Sequence, residues 1–373
     1  MTVDADAVVV GAGVVGLAAA AALARDGRSV LVLERNEAIA RETTSRNSEV
    51  VHAGIYYPPE SLKARLCVEG RRALYQRCAE RGVGHRRAGK LVVATDEREL
   101  SDLERIRANA ERCGVTLTPL DAPEVSRLEP GVRCVGALLS PETGIVDAHA
   151  FALSFLAEAE SHGASLVLRA ETLGFERRAD AWIVEARSDQ PVTVSCRAVV
   201  DAAGLEASRL AALAGLDPVR CGYRVHYCKG DYFSWAPSAS IPLSHLVYPV
   251  PAGPGLGIHA TVDLGGRVRF GPDAEYVDAP RYDVDPAKAE GFADAVRRYL
   301  PAVSASDLAP EYAGVRPKLA GSGEPFADFV VEEESRRGAP GFVSCIGIES
   351  PGLTAAPAIA DRVVALLAEA QVF

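Results

Sequence analysis

The feature that most restricts this chain lies in its first forty residues. There Gly11-Ala12-Gly13-Val14-Val15-Gly16 directly follows the apolar run 7–10. Such a run suits a central parallel strand. At a strand-to-helix turn the three glycines have separate tasks: Gly11 permits the tight turn, Gly13 lets the backbone approach a pyrophosphate, and Gly16 lets the helix pack on the strand. The spacing predicts a helix over residues 14–25 whose first amides face phosphate, with Gly27 ending it. A second strand over 29–33 delivers Glu34, eighteen residues beyond Gly16, with Arg35 next to it. An acid there accepts hydrogen bonds from ribose hydroxyls and disfavours a 2′-phosphate. Strand, glycines, helix, strand and acid in one register define a dinucleotide-binding unit, without separating NAD from FAD.

Residues 7–24 carry no charge, which by length alone suggests a membrane span. The glycines inside the run, and Asp4 and Asp6 where a signal peptide needs basic residues, favour a buried strand, turn and helix. At 373 residues two domains are expected. A net charge of −10 argues against nucleic acid as a partner, although a local Arg/His cluster can still bind an acidic ligand. The eight cysteines form no CxxC pair and no zinc spacing. Reduced thiols, no metal and a cytoplasmic location are the resulting expectations.

Thr43-Thr44-Ser45-Arg46-Asn47-Ser48 leads into Glu49-Val50-Val51-His52-Ala53-Gly54-Ile55. On the residues alone this reads either as a helix start capped by Ser45 or Asn47 or as a polar cofactor-binding turn. The segment resembles one in the D-amino-acid-oxidase superfamily that crosses the FAD pyrophosphate and ends at the flavin ring. Ala198-Val199-Val200-Asp201-Ala202-Ala203-Gly204 resembles the strand and turn that return to the cofactor. Gly347-Ile348-Glu349-Ser350-Pro351-Gly352-Leu353-Thr354 resembles the loop into a C-terminal helix whose N-terminus faces the flavin pyrimidine edge. An ordinary helix cap at Thr354 is the alternative there.

Within the superfamily, the chain looks most like the L-2-hydroxyglutarate dehydrogenases and oxidases. Val51-His52-Ala53-Gly54-Ile55-Tyr56-Tyr57-Pro58 and the run from Ser61 to Gly70 carry that likeness. Thr143–Asp147, Lys229–Tyr232, Tyr248–Pro251 and Gly257–Thr261 add looser matches. Gly314-Val315-Arg316-Pro317 looks more like amino-acid oxidases, and Asp201 stands where the family usually has Asn.

The resemblance implies an α/β protein: a Rossmann-type, glutathione-reductase-like FAD domain on a parallel sheet, with an antiparallel-sheet substrate domain. Residues 1–80, 142–220 and 320–373 are assigned to a discontinuous FAD domain, and 81–141 and 221–319 to the substrate domain. A helix at 148–161 leads to a strand at 165–169, and 172–200 reads as a three-run antiparallel meander. Strands at 224–233, 246–250 and 268–270, with helices near 97–113 and 286–299, belong to the roof over the flavin. FAD contacts are expected from Gly11, Gly13, Gly16, Glu34, Arg35, Thr44, Ser45, Asn47, Ser48, Leu173, Ala203, Gly204, Gly347, Pro351, Gly352, Leu353 and Thr354.

Oxidation of an α-substituted acid, by hydride transfer from Cα to flavin N5, requires a held carboxylate and an outlet for the heteroatom proton. Arg316 is the expected clamp, because a guanidinium grips a carboxylate with parallel bonds. An alcohol substrate also needs a base. His52 is the first candidate, His259 the second, and His226 lies in a segment expected nearby. Lys229, Tyr232 and Tyr248 are placed at the distal end of the substrate, with Lys229 or Arg65 as the donor for a second carboxylate. The alternatives are an amino-acid or secondary-amine oxidase and a non-catalytic flavin-binding subunit. Oxygen or quinone is the expected electron acceptor, and peripheral membrane contact is left open.

Overall fold

In the computed structural model, which describes residues 3–237, 242–251 and 257–373, the uncharged N-terminal run resolves into the strand Ala5–Val10 and the helix Val14–Arg25. Ten of the helix's twelve residues are buried. It lies against the helices Ala148–Ser161 and Gly352–Glu369, and its alanines let those neighbours approach closely. No helix among the described residues is long and apolar enough to cross a membrane.

The strand Ala5–Val10 pairs in parallel with Val30–Leu33 on one side and with the end of Pro191–Asp201 on the other. Ser165–Val167 extends the sheet beyond Val30–Leu33. Ala339–Ile346 extends it beyond Asp201. The strands are buried on both faces, so they read as continuous apolar runs without alternation. The meander Glu171–Arg178, Ala181–Arg187 and the first half of Pro191–Asp201 hangs from the same sheet by antiparallel pairing. Phe175 packs edge to face on Trp182 and on Phe342, and the last two rings meet at a tilt.

A second sheet faces the first. Its spine is an antiparallel pair running from His226 opposite Lys318 to Trp235 opposite Leu308. Val268–Phe270, Ala260–Val262 and Leu246–Pro249 follow, and the last of these runs parallel to Lys90–Ala94. Gly136–Ser140 and Thr118–Asp121 close the far edge. The helix Ala289–Arg297 covers this sheet through Phe292, whose ring lies 4.7 Å from that of Phe233. Both helices expected in the roof begin later than the sequence suggests. Single 3₁₀ turns, Glu97–Glu99 and Pro286–Lys288, precede Leu100–Arg112 and Ala289–Arg297.

Residues 43–55 form no capped helix. Thr43–Ser45 is one 3₁₀ turn, after which the chain extends into the two-residue strand Val50–Val51. The C-terminal helix begins at Gly352 with Pro351 at its cap position, so Thr354 lies inside the helix and is not its cap.

Candidate active site

One long cavity of about 890 Å³ runs between the two sheets, a size that suits a large cofactor with room for a small ligand. One end lies over the glycine turn. Gly11 has φ +103°, and a Cβ there would stand 2.6 Å from the Ala202 carbonyl oxygen. A side chain on Gly16 would collide with the Gly11 carbonyl, so this glycine sets helix-to-strand packing and lies behind the cavity wall. Gly13 occupies the cap position of its helix without a side-chain cap of its own. Thr44 Oγ1 accepts the Val14 amide at 3.1 Å.

Glu34 is 7% exposed at the end of the second strand. Its carboxylate accepts the Ala12 amide and the Asn36 amide, each at 2.8 Å, which holds the acid against the turn. Arg35, paired with Glu42, and Ala203 and Gly204 complete this end. The meander contributes Glu171 and Thr172; Leu173, expected here through its backbone, does not line the cavity.

The polar segment spans the middle. Asn47 Nδ2 donates to the carbonyls of Thr43 and Thr44, and its Oδ1 accepts the Glu49 amide at 2.8 Å. Ser48 Oγ lies 2.9 Å from the Tyr232 hydroxyl. Tyr232 stacks on Tyr312, which donates to the Asn47 carbonyl at 2.6 Å. The roof therefore clamps this segment from above. Ser45 bonds back to the Glu42 carbonyl and does not line the cavity.

At the far end the C-terminal helix brings Pro351, Gly352 and Leu353 to the wall. Gly347, with φ +70°, and Thr354 stand behind it. Thr354 Oγ1 accepts the His52 amide at 3.0 Å and donates to the Val50 carbonyl at 3.3 Å, which pins His52 to the helix N-terminus. The His52 Nε2 lies 3.2 Å from Ser350 Oγ, and Ser350 lies 3.4 Å from the Tyr57 hydroxyl. Burial, with the nearby charge of Lys90, pushes the His52 imidazole down to about 3. It is neutral at physiological pH, with one ring nitrogen able to take a proton.

His259 and Tyr248 line the same end, their rings stacked at 3.5 Å, and His226 does not reach it. Arg316 lines the cavity, and its guanidinium is already partly engaged. Nε donates to the Cys228 carbonyl at 3.2 Å, and Nη2 to the carbonyls of Lys229 and Asp273 at 3.0 and 2.6 Å. Nη1 has no hydrogen-bond partner among the described residues.

The strand His226–Trp235 corrects the reading of Lys229. Side chains alternate across a sheet, so Cys228, Gly230 and Tyr232 face the cavity while Lys229 and Asp231 face away. The Lys229 ammonium is 2.9 Å from Asp231 and is spoken for. Arg65 is exposed on its helix. Residues that the motifs did not single out also stand at this wall or, for Lys90, behind it. Glu349 is shared by Lys63 and Lys318, and Lys90 is buried between Tyr56 and Tyr248.

A glycine cradle, a helix start with glycine at its cap position, a buried acid after the second strand and a second helix N-terminus along one cavity fit FAD. The chain belongs to the FAD-dependent oxidoreductase family, which residues 6–366 match. Within that family it is 40% identical to the mitochondrial L-2-hydroxyglutarate dehydrogenase of Arabidopsis thaliana, over 96% of this chain and 82% of the relative. L-2-hydroxyglutarate dehydrogenase from Escherichia coli K12 is 34% identical, over 72% of this chain and 64% of that protein. Among solved structures, the dithionite-reduced, FAD-bound L-α-glycerophosphate oxidase of Mycoplasma pneumoniae superposes with a TM-score of 0.89 at 25% identity, over 98% of this chain and 94% of its own. Glycine oxidase from Geobacillus kaustophilus shares the fold, with a TM-score of 0.82 over 99% of this chain and 95% of that one.

Proposed function

We propose that this enzyme oxidises L-2-hydroxyglutarate to the corresponding 2-oxo acid. The likeness to hydroxyglutarate dehydrogenases over almost the whole chain supports that substrate. The observation that carries the chemistry is a neutral imidazole, His52, fixed at the end of the cavity where the C-terminal helix begins. When bound, FAD supplies the two-electron acceptor for the substrate Cα–H.

The chain's own residues do the rest. Arg316 Nη1 receives the substrate carboxylate, while the three carbonyls on Nε and Nη2 fix the guanidinium plane. His52 takes the hydroxyl proton, and a dianionic substrate beside it raises its proton affinity. Ser350 and Tyr57 offer that proton a path away from the ring. Thr354 holds His52 in place, and His259 with Tyr248 walls the same pocket. Gly11, Gly13, Glu34, Thr44, Asn47, Ser48, Gly204 and Leu353 hold the cofactor. Residues 1–80, 142–220 and 320–373 form the cofactor-binding part, and the rest binds substrate. Electrons pass on to oxygen or a quinone, from a cytoplasmic protein or one attached peripherally to a membrane.

The test is turnover by the purified protein with added FAD, supplied with either oxygen or a soluble quinone and with L-2-hydroxyglutarate, its D-enantiomer, glycine or lactate. Stoichiometric 2-oxoglutarate from the L-enantiomer alone is expected. Turnover of glycine, with the hydroxy acids inert, would move the enzyme to the amine oxidases, a reading that Gly314-Val315-Arg316-Pro317 favours.

A further inference from the structure

A dicarboxylate needs a second positive partner, and the two cations expected for it, Lys229 and Arg65, do not reach the cavity. Lys63 and Lys318 do line it, but each is already bound to the shared Glu349 carboxylate, at 2.9 and 3.1 Å, and Lys63 also donates to the Ala327 carbonyl. Lys90 does not line the cavity either, but it stands directly behind two residues that do. It opens the strand Lys90–Ala94, every residue of which is buried, and is itself 1% exposed. Its ammonium lies 4.5 Å from the Tyr56 ring centroid and 4.7 Å from that of Tyr248. No carboxylate lies within ion-pair distance of it among the described residues. Both tyrosines line the cavity. Among the described residues, neither tyrosine hydroxyl has a hydrogen-bond partner.

A buried cation held only by two π faces is an incomplete arrangement. An anion delivered to the two hydroxyls completes it: the phenols donate to the anion and the ammonium behind them supplies the opposite charge.

We propose that Lys90, Tyr56 and Tyr248 form the subsite for the distal carboxylate of a dicarboxylic 2-hydroxy acid. This rests on the hydroxy-acid reading above and adds the group that selects two carboxylates over one. The partners of Lys90 on neighbouring elements agree with it. Ser140 and Leu246 pair with it in the sheet and carry no charge. Cys67, from the helix behind, is a neutral thiol with its ionisation pushed up to about 12 by burial. His52 is neutral, and burial lowers the ammonium itself to about 7, so an arriving carboxylate also favours its protonation.

The test is calorimetric binding of glutarate and of pentanoate to the FAD-loaded protein, which requires no turnover. The wild type is expected to prefer glutarate by roughly ten- to a hundredfold. Lys90→Met is expected to bring that ratio to within about threefold by weakening glutarate alone, and Lys90→Arg to keep most of it. Tyr56→Phe, which leaves the buried charge untouched, is expected to lower the ratio by a smaller factor, and serves should Lys90→Met fail to retain FAD. Equal affinities for the two acids in the wild type, or an unchanged ratio in Lys90→Met or Tyr56→Phe, would overturn the subsite. Failure to oxidise L-2-hydroxyglutarate alongside a Lys90-dependent glutarate preference would instead overturn the reaction and leave the subsite standing.

Discussion

His52 is where separately encoded pieces of the chain meet. Its amide is held by Thr354, its carbonyl accepts from the Cys67 thiol, and its ring reaches Ser350. Replacing it with Ala removes the proposed base and none of the proposed cofactor-holding residues. The rate of flavin reduction is expected to fall by about 10²- to 10⁴-fold, with flavin content unchanged. Stopped-flow absorbance checks both. The ring's burial also has a consequence for stability. The unfolded imidazole binds a proton near pH 6.5, whereas the folded one resists it down to about 3. As pH falls through that window the unfolded chain gains a proton that the folded chain refuses, so stability drops with acid and is regained above about 6.5. Thermal melts of wild type and His52→Gln should diverge as pH falls from 6.5 towards 3, the wild type losing more; parallel curves would contradict the assignment. Lys90 has the complementary property. Its folded value near 7 lies below the ordinary 10.5, so burying it costs stability at neutral pH. Lys90→Met is expected to melt higher than the wild type, as happens where function and stability compete.

At the scale of elements, glycine determines how closely helices and turns approach. Gly70 lies midway along the helix Leu62–Arg81, where a Cβ would collide with the Thr354 carbonyl and stand 2.7 Å from the Ala355 Cα. Overpacking of this kind typically costs about 1–3 kcal/mol. Here it would also push Thr354 away from His52. Gly70→Ala should therefore lower both the melting temperature by a few degrees and the rate of flavin reduction, measured on the same preparation. Gly11→Ala, strained by its φ of +103° and its contact with Ala202, should lower the flavin-to-protein absorbance ratio. How much could be read in the sequence follows from locality. The helices 14–25 and 148–161 and the three-run meander rest on periodicity and turn residues within a short window, and the structure reproduces them closely. Lys229 was misread, although strict alternation along its strand puts it on the face opposite Tyr232. Lys90 was not legible. Its place beside Tyr248 depends on the pairing of Lys90–Ala94 with Leu246–Pro249, segments far apart in the chain, and the local trace was only a lone lysine opening an apolar strand. The partial occupation of Arg316 by backbone carbonyls likewise follows from strand pairing that no motif reports.

For the whole molecule, two sheets of different topology enclose one cavity, and the division of labour follows from their chemistry. The parallel sheet ends in glycine turns and helix N-termini that suit phosphates and a reduced ring. The antiparallel roof supplies tyrosines, Arg316 and His259, which suit a small acid. The chain's net charge of −10 does not attract an anionic substrate, which leaves that task to local cations at the cavity. Raising ionic strength should therefore affect substrate affinity less than it would for a protein that steers anions across its surface. The most direct measurement is an anaerobic titration of the FAD-loaded protein with L-2-hydroxyglutarate, following the visible flavin band. Bleaching that completes at one equivalent, with amino acids and lactate inert, is the predicted result. An undisturbed band with L-2-hydroxyglutarate, and bleaching by an amino acid instead, would contradict the proposed reaction.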